Sequence, residues 1–352
     1  MLIAAVAGAL PSHHYDQNAL IAGFIRFWSD QHHNPDRLVR LHQAVQVGGR
    51  HLALPMEAYP DLSFGDANDA FIQVGTDLGE EAIQRALQQV NLNPQDIDVI
   101  FTTTVTGVAT PSLDARLVNR LGLRSDVKRV PIFGLGCVAG AAGISRMHDY
   151  LKGHPDDVAV LLSVELCSLT LQRGDFSVAN LIASGLFGDG AAAVIGLGEN
   201  RAREQACTGP RVVQTQSRFY PNTERVMGWD IGDNGFKIVL AASVPAVVRK
   251  HIRADVDGFL DGMGLSRNDI HTWVCHPGGP KVLTAFEDCL ELPENALERT
   301  WTSLREVGNL SSASVLMVLR DTLKQTAPPQ SSLGMLMAMG PGFCSELVLL
   351  EW

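Results

Sequence analysis

The sequence predicts an α/β protein made of two related halves, and three observations carry that expectation. Leu87, Leu92, Asp96 and Ile97 recur as Leu260, Leu265, Asp269 and Ile270, at a constant offset of 173 (260 − 87). The stretch GCVAGAAGISRMHDYLK from Gly136 aligns without a gap on GNLSSASVLMVLRDTLK from Gly308, at an offset of 172 (308 − 136). Gly136/Gly308, Ala141/Ala313, Asp149/Asp321, Leu151/Leu323 and Lys152/Lys324 are identical between the copies. Either stretch alone is weak evidence, but both repeat the same order of helix, turn and strand at nearly one offset. Third, the apolar runs VIFTTT from Val99, RVPIFGL from Arg129 and HTWVC from His271 read as strands next to helical spacing. The expected halves are residues 1–205 and 206–352.

Composition narrows the class. Of 352 residues, 46% are hydrophobic and 19% charged, which excludes intrinsic disorder. The formal charge is -10 with no run of lysine or arginine, so no nucleic-acid surface is expected. The most membrane-like stretch, Val158 to Leu169, is interrupted by Glu165, so no membrane span is expected either. The N-terminal run MLIAAVAGALPSHH has no positive leader and reads as a first buried strand. Six cysteines are scattered, the closest pair 14 positions apart (289 − 275), which excludes a paired-cysteine zinc or dithiol motif. No metal site is expected, and the thiols are expected to be reduced in a cytoplasmic protein.

The repeat places candidate residues. The Ala, Gly and Ser runs after Gly136 and Gly308 predict two buried helices that approach closely, one from each half. Their first residues are Cys137 and Asn309, while His276 is the counterpart of Thr103 (276 − 173) at a strand end. Sites in α/β proteins gather at such positions. A thiol at a helix start is expected to have a lowered pKa and to be reactive, although a free cysteine is also a good small core residue. His276 in HPGGP is expected on a tight, exposed loop, with a structural histidine as the plain alternative. Asn309 in GNLSS serves equally as a helix N-cap.

Taken together, GLGCVAG, HPGGP and GNLSSAS resemble the type III polyketide synthases, the chalcone and stilbene synthase family of thiolase-like condensing enzymes. VELCSLT around Glu165, LFGDGAAAVI from Leu186 and MGPGF from Met339 extend the resemblance through nearly the whole chain. It implies the thiolase-like fold, two duplicated α/β halves in a five-layered α-β-α-β-α arrangement. It also implies an acyltransferase in which Cys137 takes an acyl starter from CoA. His276 would keep Cys137 as thiolate, and His276 and Asn309 would stabilise the enolate formed when malonyl-CoA loses CO2. By the same resemblance Phe187 gates the cavity, and Thr106, Cys167, Thr170, Gly228, Ile238 and Ser311 line it. Gly278 and Gly279 pass the pantetheine arm, and Arg37 and Arg40 meet the CoA phosphates, with Ala44 where the family has a third basic residue. The resemblance implies CoA thioesters as substrates with no cofactor and no obligatory acyl carrier protein. It also implies a homodimer in which Thr110 reaches the partner's cavity.

ELCSLT, MGWD and Ile238 in GFKIVL look more like the bacterial alkylresorcinol and alkylpyrone synthases than like plant enzymes, which implies an aliphatic starter. Two other readings compete. A priming β-ketoacyl-acyl-carrier-protein synthase III-like enzyme would condense once onto a basic-patch-docked carrier, and a scaffold would keep the fold without chemistry. GLGCVAG spaces its glycines as GxGxxxG, not as the dinucleotide fingerprint, and no GxSxG is present. A papain-like Cys-His-Asn set fits the repeat less well.

Overall fold

The apolar runs Val158–Leu166 and Asp189–Leu197 become strands with every position buried, as strands at the middle of a doubly covered sheet must be. The computed structural model describes residues 1–28, 34–325 and 328–352. Its strands run β1 (Leu2–Ala9), β2 (His13–Asp16), β3 (Gly49–Leu52), β4 (Val99–Thr104), β5 (Lys128–Phe133), β6 (Val158–Leu166) and β7 (Asp189–Leu197). They continue as β8 (Arg211–Phe219), β9 (Met227–Gly232), β10 (Gly235–Leu240), β11 (Ile270–Cys275), β12 (Leu333–Gly340) and β13 (Cys344–Glu351). The N-terminal apolar run is β1, a buried strand as expected.

The duplication is visible strand by strand. The main sheet has the order β11-β12-β13-β8-β1-β7-β6-β4-β5. β4 is parallel to β6, then β7 and β1 follow antiparallel; β11 is parallel to β12, then β13 and β8 follow antiparallel. The half-sheets touch through one register pair, Leu2 with Arg211.

Helices complete five layers. The long helix Phe64–Gln89 starts at a Ser63 capping box and lays its buried stripe on β1, β6 and β7. Helices Ala139–Gly153 and Ser312–Gln325 fill the space between the half-sheets. Val244–Asp261 and Pro280–Leu290 cover the outer face of the second half. The small residues of the repeat have the predicted use, since a Cβ on Gly140 would stand 2.3 Å from the Ser312 carbonyl oxygen. Among the described residues no helix is long and apolar enough to cross a membrane.

Candidate active site

Cys137 lies where β5 gives way to the central helix. Gly134 and Gly136 take φ of +95° and +58°, which turns the chain into a short 3₁₀ turn, Gly136–Val138, ahead of the helix Ala139–Gly153. Pro341 packs against Gly136 so closely that a Cβ there would lie 2.7 Å from the proline ring. The thiol is buried and donates to Ser311 Oγ at 3.7 Å. Burial pushes Cys137 up to about 12, with Ser311 and Asn309 pulling the other way and the Glu165 carboxyl adding to the rise. The expected lowered pKa is therefore overturned. A dry pocket disfavours the thiolate more than one helix end favours it.

His276 follows β11, its N–H bonded to the Met337 carbonyl at 2.9 Å. The exposed loop expected for HPGGP is instead buried, with His276 at 3% exposure. Leu283 and Phe286 of the helix after it belong to the outer core that covers this loop. Both ring nitrogens are buried and lack a hydrogen-bond partner among the described residues, and burial lowers the imidazole to about 3. Burial thus favours the neutral imidazole of His276. Asn309 is held by its backbone, which forms a parallel bridge with Phe187. Its Oδ1 accepts the Ser311 N–H at 2.8 Å in a local turn; the helix begins at Ser312, so Asn309 stands ahead of the helix and is not the N-cap that the sequence suggested. A backbone N–H can only donate, so the oxygen faces Ser311 and the amide NH₂ is the end free for Cys137. Cys137, His276, Asn309 and Gly278 meet around one small cavity.

Cys137 also opens onto a larger cavity of about 350 Å³. Thr106, Cys167, Thr170 and Ser311 line it, with Phe187 and, from the β9–β10 hairpin, Gly228 and Ile238. Gly279 takes φ +130° beside Leu186, a conformation only glycine adopts easily. Arg37 and Arg40 stand exposed on the helix Pro35–Ala44 and do not line either cavity, and Ala44 is exposed beside them. Thr110 is exposed too.

Several site groups escape sequence reasoning. Glu165 is fully buried, accepting from Ser312 Oγ, from Thr106 Oγ1 at 2.8 Å and from the Val105 N–H at 3.1 Å. Burial raises it to about 7. Its signal was the lone carboxylate in the apolar run. Asp189 is equally buried, gripping the Ala53 N–H at 2.6 Å and Ser168, and burial raises it to about 6. Arg50, at 2% exposure, donates to the Phe187 carbonyl at 2.6 Å. Nothing in GGRHL marked it.

Comparison with known proteins gives a consistent result. Residues 211–351 match the family described as chalcone and stilbene synthases, C-terminal domain. Residues 68–216 match the FAE1/type III polyketide synthase-like proteins. The chain is 55% identical to a 1,3,6,8-tetrahydroxynaphthalene synthase of Streptomyces peucetius subsp. caesius over 351 residues, covering 99% of this chain and 93% of that protein. It is 31% identical to the phloroglucinol synthase of Pseudomonas fluorescens, covering 89% and 88%. The crystal structure of 1,3,6,8-tetrahydroxynaphthalene synthase from Streptomyces coelicolor A3(2), a bacterial type III polyketide synthase, superposes with a TM-score of 0.94. That structure is 30% identical, with 100% of this chain and 99% of the other covered.

Proposed function

The chain belongs to the type III polyketide synthases of the chalcone and stilbene synthase family, and from that premise we propose that it builds a polyhydroxylated aromatic product from malonyl-CoA alone. Members of this family are condensing acyltransferases that use acyl-CoA and malonyl-CoA and need no acyl carrier protein. The observation that carries the finer reading is the 55% identity, over nearly the full length, to a 1,3,6,8-tetrahydroxynaphthalene synthase. That product is a bare naphthalene with four hydroxyls. Its carbons divide into two-carbon units, and it carries no alkyl tail that a fatty starter would leave behind.

The chemistry proposed for the residues starts from neutral partners. Cys137 forms the S–C bond to the starter as CoA departs, and its proton passes to the neutral imidazole of His276. The extender's thioester oxygen then takes hydrogen bonds from the Asn309 amide and from His276, which stabilise the enolate as CO2 leaves. That enolate attacks the acyl group on Cys137. Gly278 and Gly279 let pantetheine pass near the backbone, and the CoA phosphates are assigned to Arg37 and Arg40 on the ground of their exposure and free charge, both being unpaired among the described residues. All six thiols are free, in keeping with the cytoplasmic setting proposed for the protein.

A second reading keeps an aliphatic starter and an alkylpyrone or alkylresorcinol product. Its support is the apolar part of the cavity wall, which includes Leu20, Phe24, Phe27, Leu171 and Ile238. One experiment separates the readings. The protein is given malonyl-CoA with and without straight-chain acyl-CoAs, no carrier protein, and products are read by mass spectrometry. A tail-free aromatic product from malonyl-CoA alone supports the first. Products that require an acyl-CoA, with a length preference shortened by Ile238→Phe, support the second. Dependence on a carrier protein restores the priming ketosynthase.

A further inference from the structure

Three arginines line the large cavity. Arg26 and Arg173 are exposed, but Arg50 is buried in the wall, and its Nε and Nη2 have no hydrogen-bond partner among the described residues. Asp189 is the strongest charge acting on Arg50 but does not meet it by contact: its oxygens are taken by the Ala53 N–H and by Ser168, and the two guanidinium nitrogens stay without a partner among the described residues. A buried guanidinium with spare donors is costly unless an anion completes it. Its stem runs beside the Asn309 loop, where a Cβ on Gly308 would lie 3.1 Å from Arg50 Cδ. Cys137, Cys167 and Arg50 line the same cavity. The cation therefore belongs to the same pocket as the proposed nucleophile.

We propose that Arg50 selects the starter by pairing its unused donors with the free carboxylate of a malonyl group loaded on Cys137. The inference rests on the malonyl-only reading and specifies the form in which the starter is held. Loading forms the Cys137 S–C bond and breaks that of CoA, the thiol proton leaves with the CoA sulfur through His276, and no CO2 is lost. A guanidinium on the carboxylate stabilises the bound starter, and that stabilisation disappears as the carboxylate becomes neutral CO2. Decarboxylation of the starter is thereby slowed. The small cavity around His276 and Asn309, where the extender's thioester oxygen would sit, has no lysine or arginine in its lining among the described residues, so the extender's carboxylate has no such partner there.

The test uses the whole protein. Native, Arg50→Gln and Arg50→Lys proteins are mixed briefly with malonyl-CoA and quenched in acid, and the Cys137 peptide is read by mass spectrometry for malonyl or acetyl. Product from malonyl-CoA alone is compared with condensation of butyryl-CoA and malonyl-CoA, a starter with no carboxylate. Native protein should carry malonyl. Arg50→Gln should lose the malonyl adduct and the malonyl-only product by roughly tenfold or more, the scale of one charge-assisted pair, while butyryl-started product stays within about threefold. Arg50→Lys should recover part of the malonyl adduct. An equal loss with butyryl-CoA would show that Arg50 only holds Phe187 and the Asn309 loop in place, and an undiminished malonyl adduct in Arg50→Gln would also overturn the proposal. Native protein that makes nothing from malonyl-CoA alone would fail the underlying reading and take this inference with it.

Discussion

Replacing Cys137 with alanine removes the thiol but leaves His276 and Asn309 around the small cavity. Cys137→Ala should lose acyl loading entirely yet still release CO2 from malonyl-CoA, measured with label in the free carboxylate. Asn309→Asp separates the turn contact from the chemistry. The carboxylate would still accept the Ser311 N–H, so the thermal midpoint should hold. It cannot donate to an enolate, and its charge opposes one, so decarboxylation should fall by roughly a hundredfold, the scale of one oxyanion-hole donor. Glu165 gives a pH signature. Its folded pKa, raised from 4.5 to about 7, means the folded protein binds the proton more tightly than the unfolded chain. The resulting stabilisation is fully present below the unfolded value and is lost as pH rises through about 7. Relative to Glu165→Gln, native protein should therefore lose up to about 3 kcal/mol between acid and neutral pH, by denaturant titration. A parallel pH profile for the two proteins would show that Glu165 keeps an ordinary carboxyl pKa.

At the scale of elements, the repeat was legible because its identities fall where the backbone is constrained. Gly136 and Gly308 both have positive φ, and each meets another chain segment where a Cβ would go. Gly136→Ala would add about 1 kcal/mol of left-handed strain and press a methyl against a proline ring that cannot rotate away. It should lower stability by about 1–3 kcal/mol and cut Cys137 loading more than Gly153→Ala, where a Cβ meets nothing within 4 Å. Differential scanning calorimetry and acyl labelling would check both. The strands after each helix were readable from apolar runs bounded by turn residues. Burial of the His276 loop was not, because HPGGP looks like surface and only the packing of Leu283 and Phe286 takes it inside. Arg50 was hidden for a related reason: it sits on β3, a four-residue strand too short to show a period.

For the molecule as a whole, β5 is an edge strand whose exposed side chains include Phe133 at 51% exposure. An open edge with an apolar side chain invites pairing with a second copy. Val108, near Thr110, adds another exposed apolar side chain in the loop after β4. Light scattering should therefore report a dimer at assay concentration, and Phe133→Lys should shift it toward monomer. An active monomer in the native protein would refute this. The α/β class and the two related halves were legible at this scale from the repeat, and the five layers followed from the family resemblance. The local motif likeness and the near full-length identity to a 1,3,6,8-tetrahydroxynaphthalene synthase support different starters, and the product assay with and without acyl-CoA separates them.

Cys137 and Asn309 occupy equivalent positions, one repeat offset of 172 apart (309 − 137). Two identical subunits related by a twofold axis in place of the two halves would have to carry the same residue at both points, so a thiol could face only another thiol. Joining the halves in one polypeptide removes that requirement. One position can then hold a proposed nucleophile while its mirror holds a proposed hydrogen-bond donor. The covalent link between the halves is thus what permits the asymmetry of the pocket, and severing it should give two fragments that have half of the chemistry each and all of it only when reassembled.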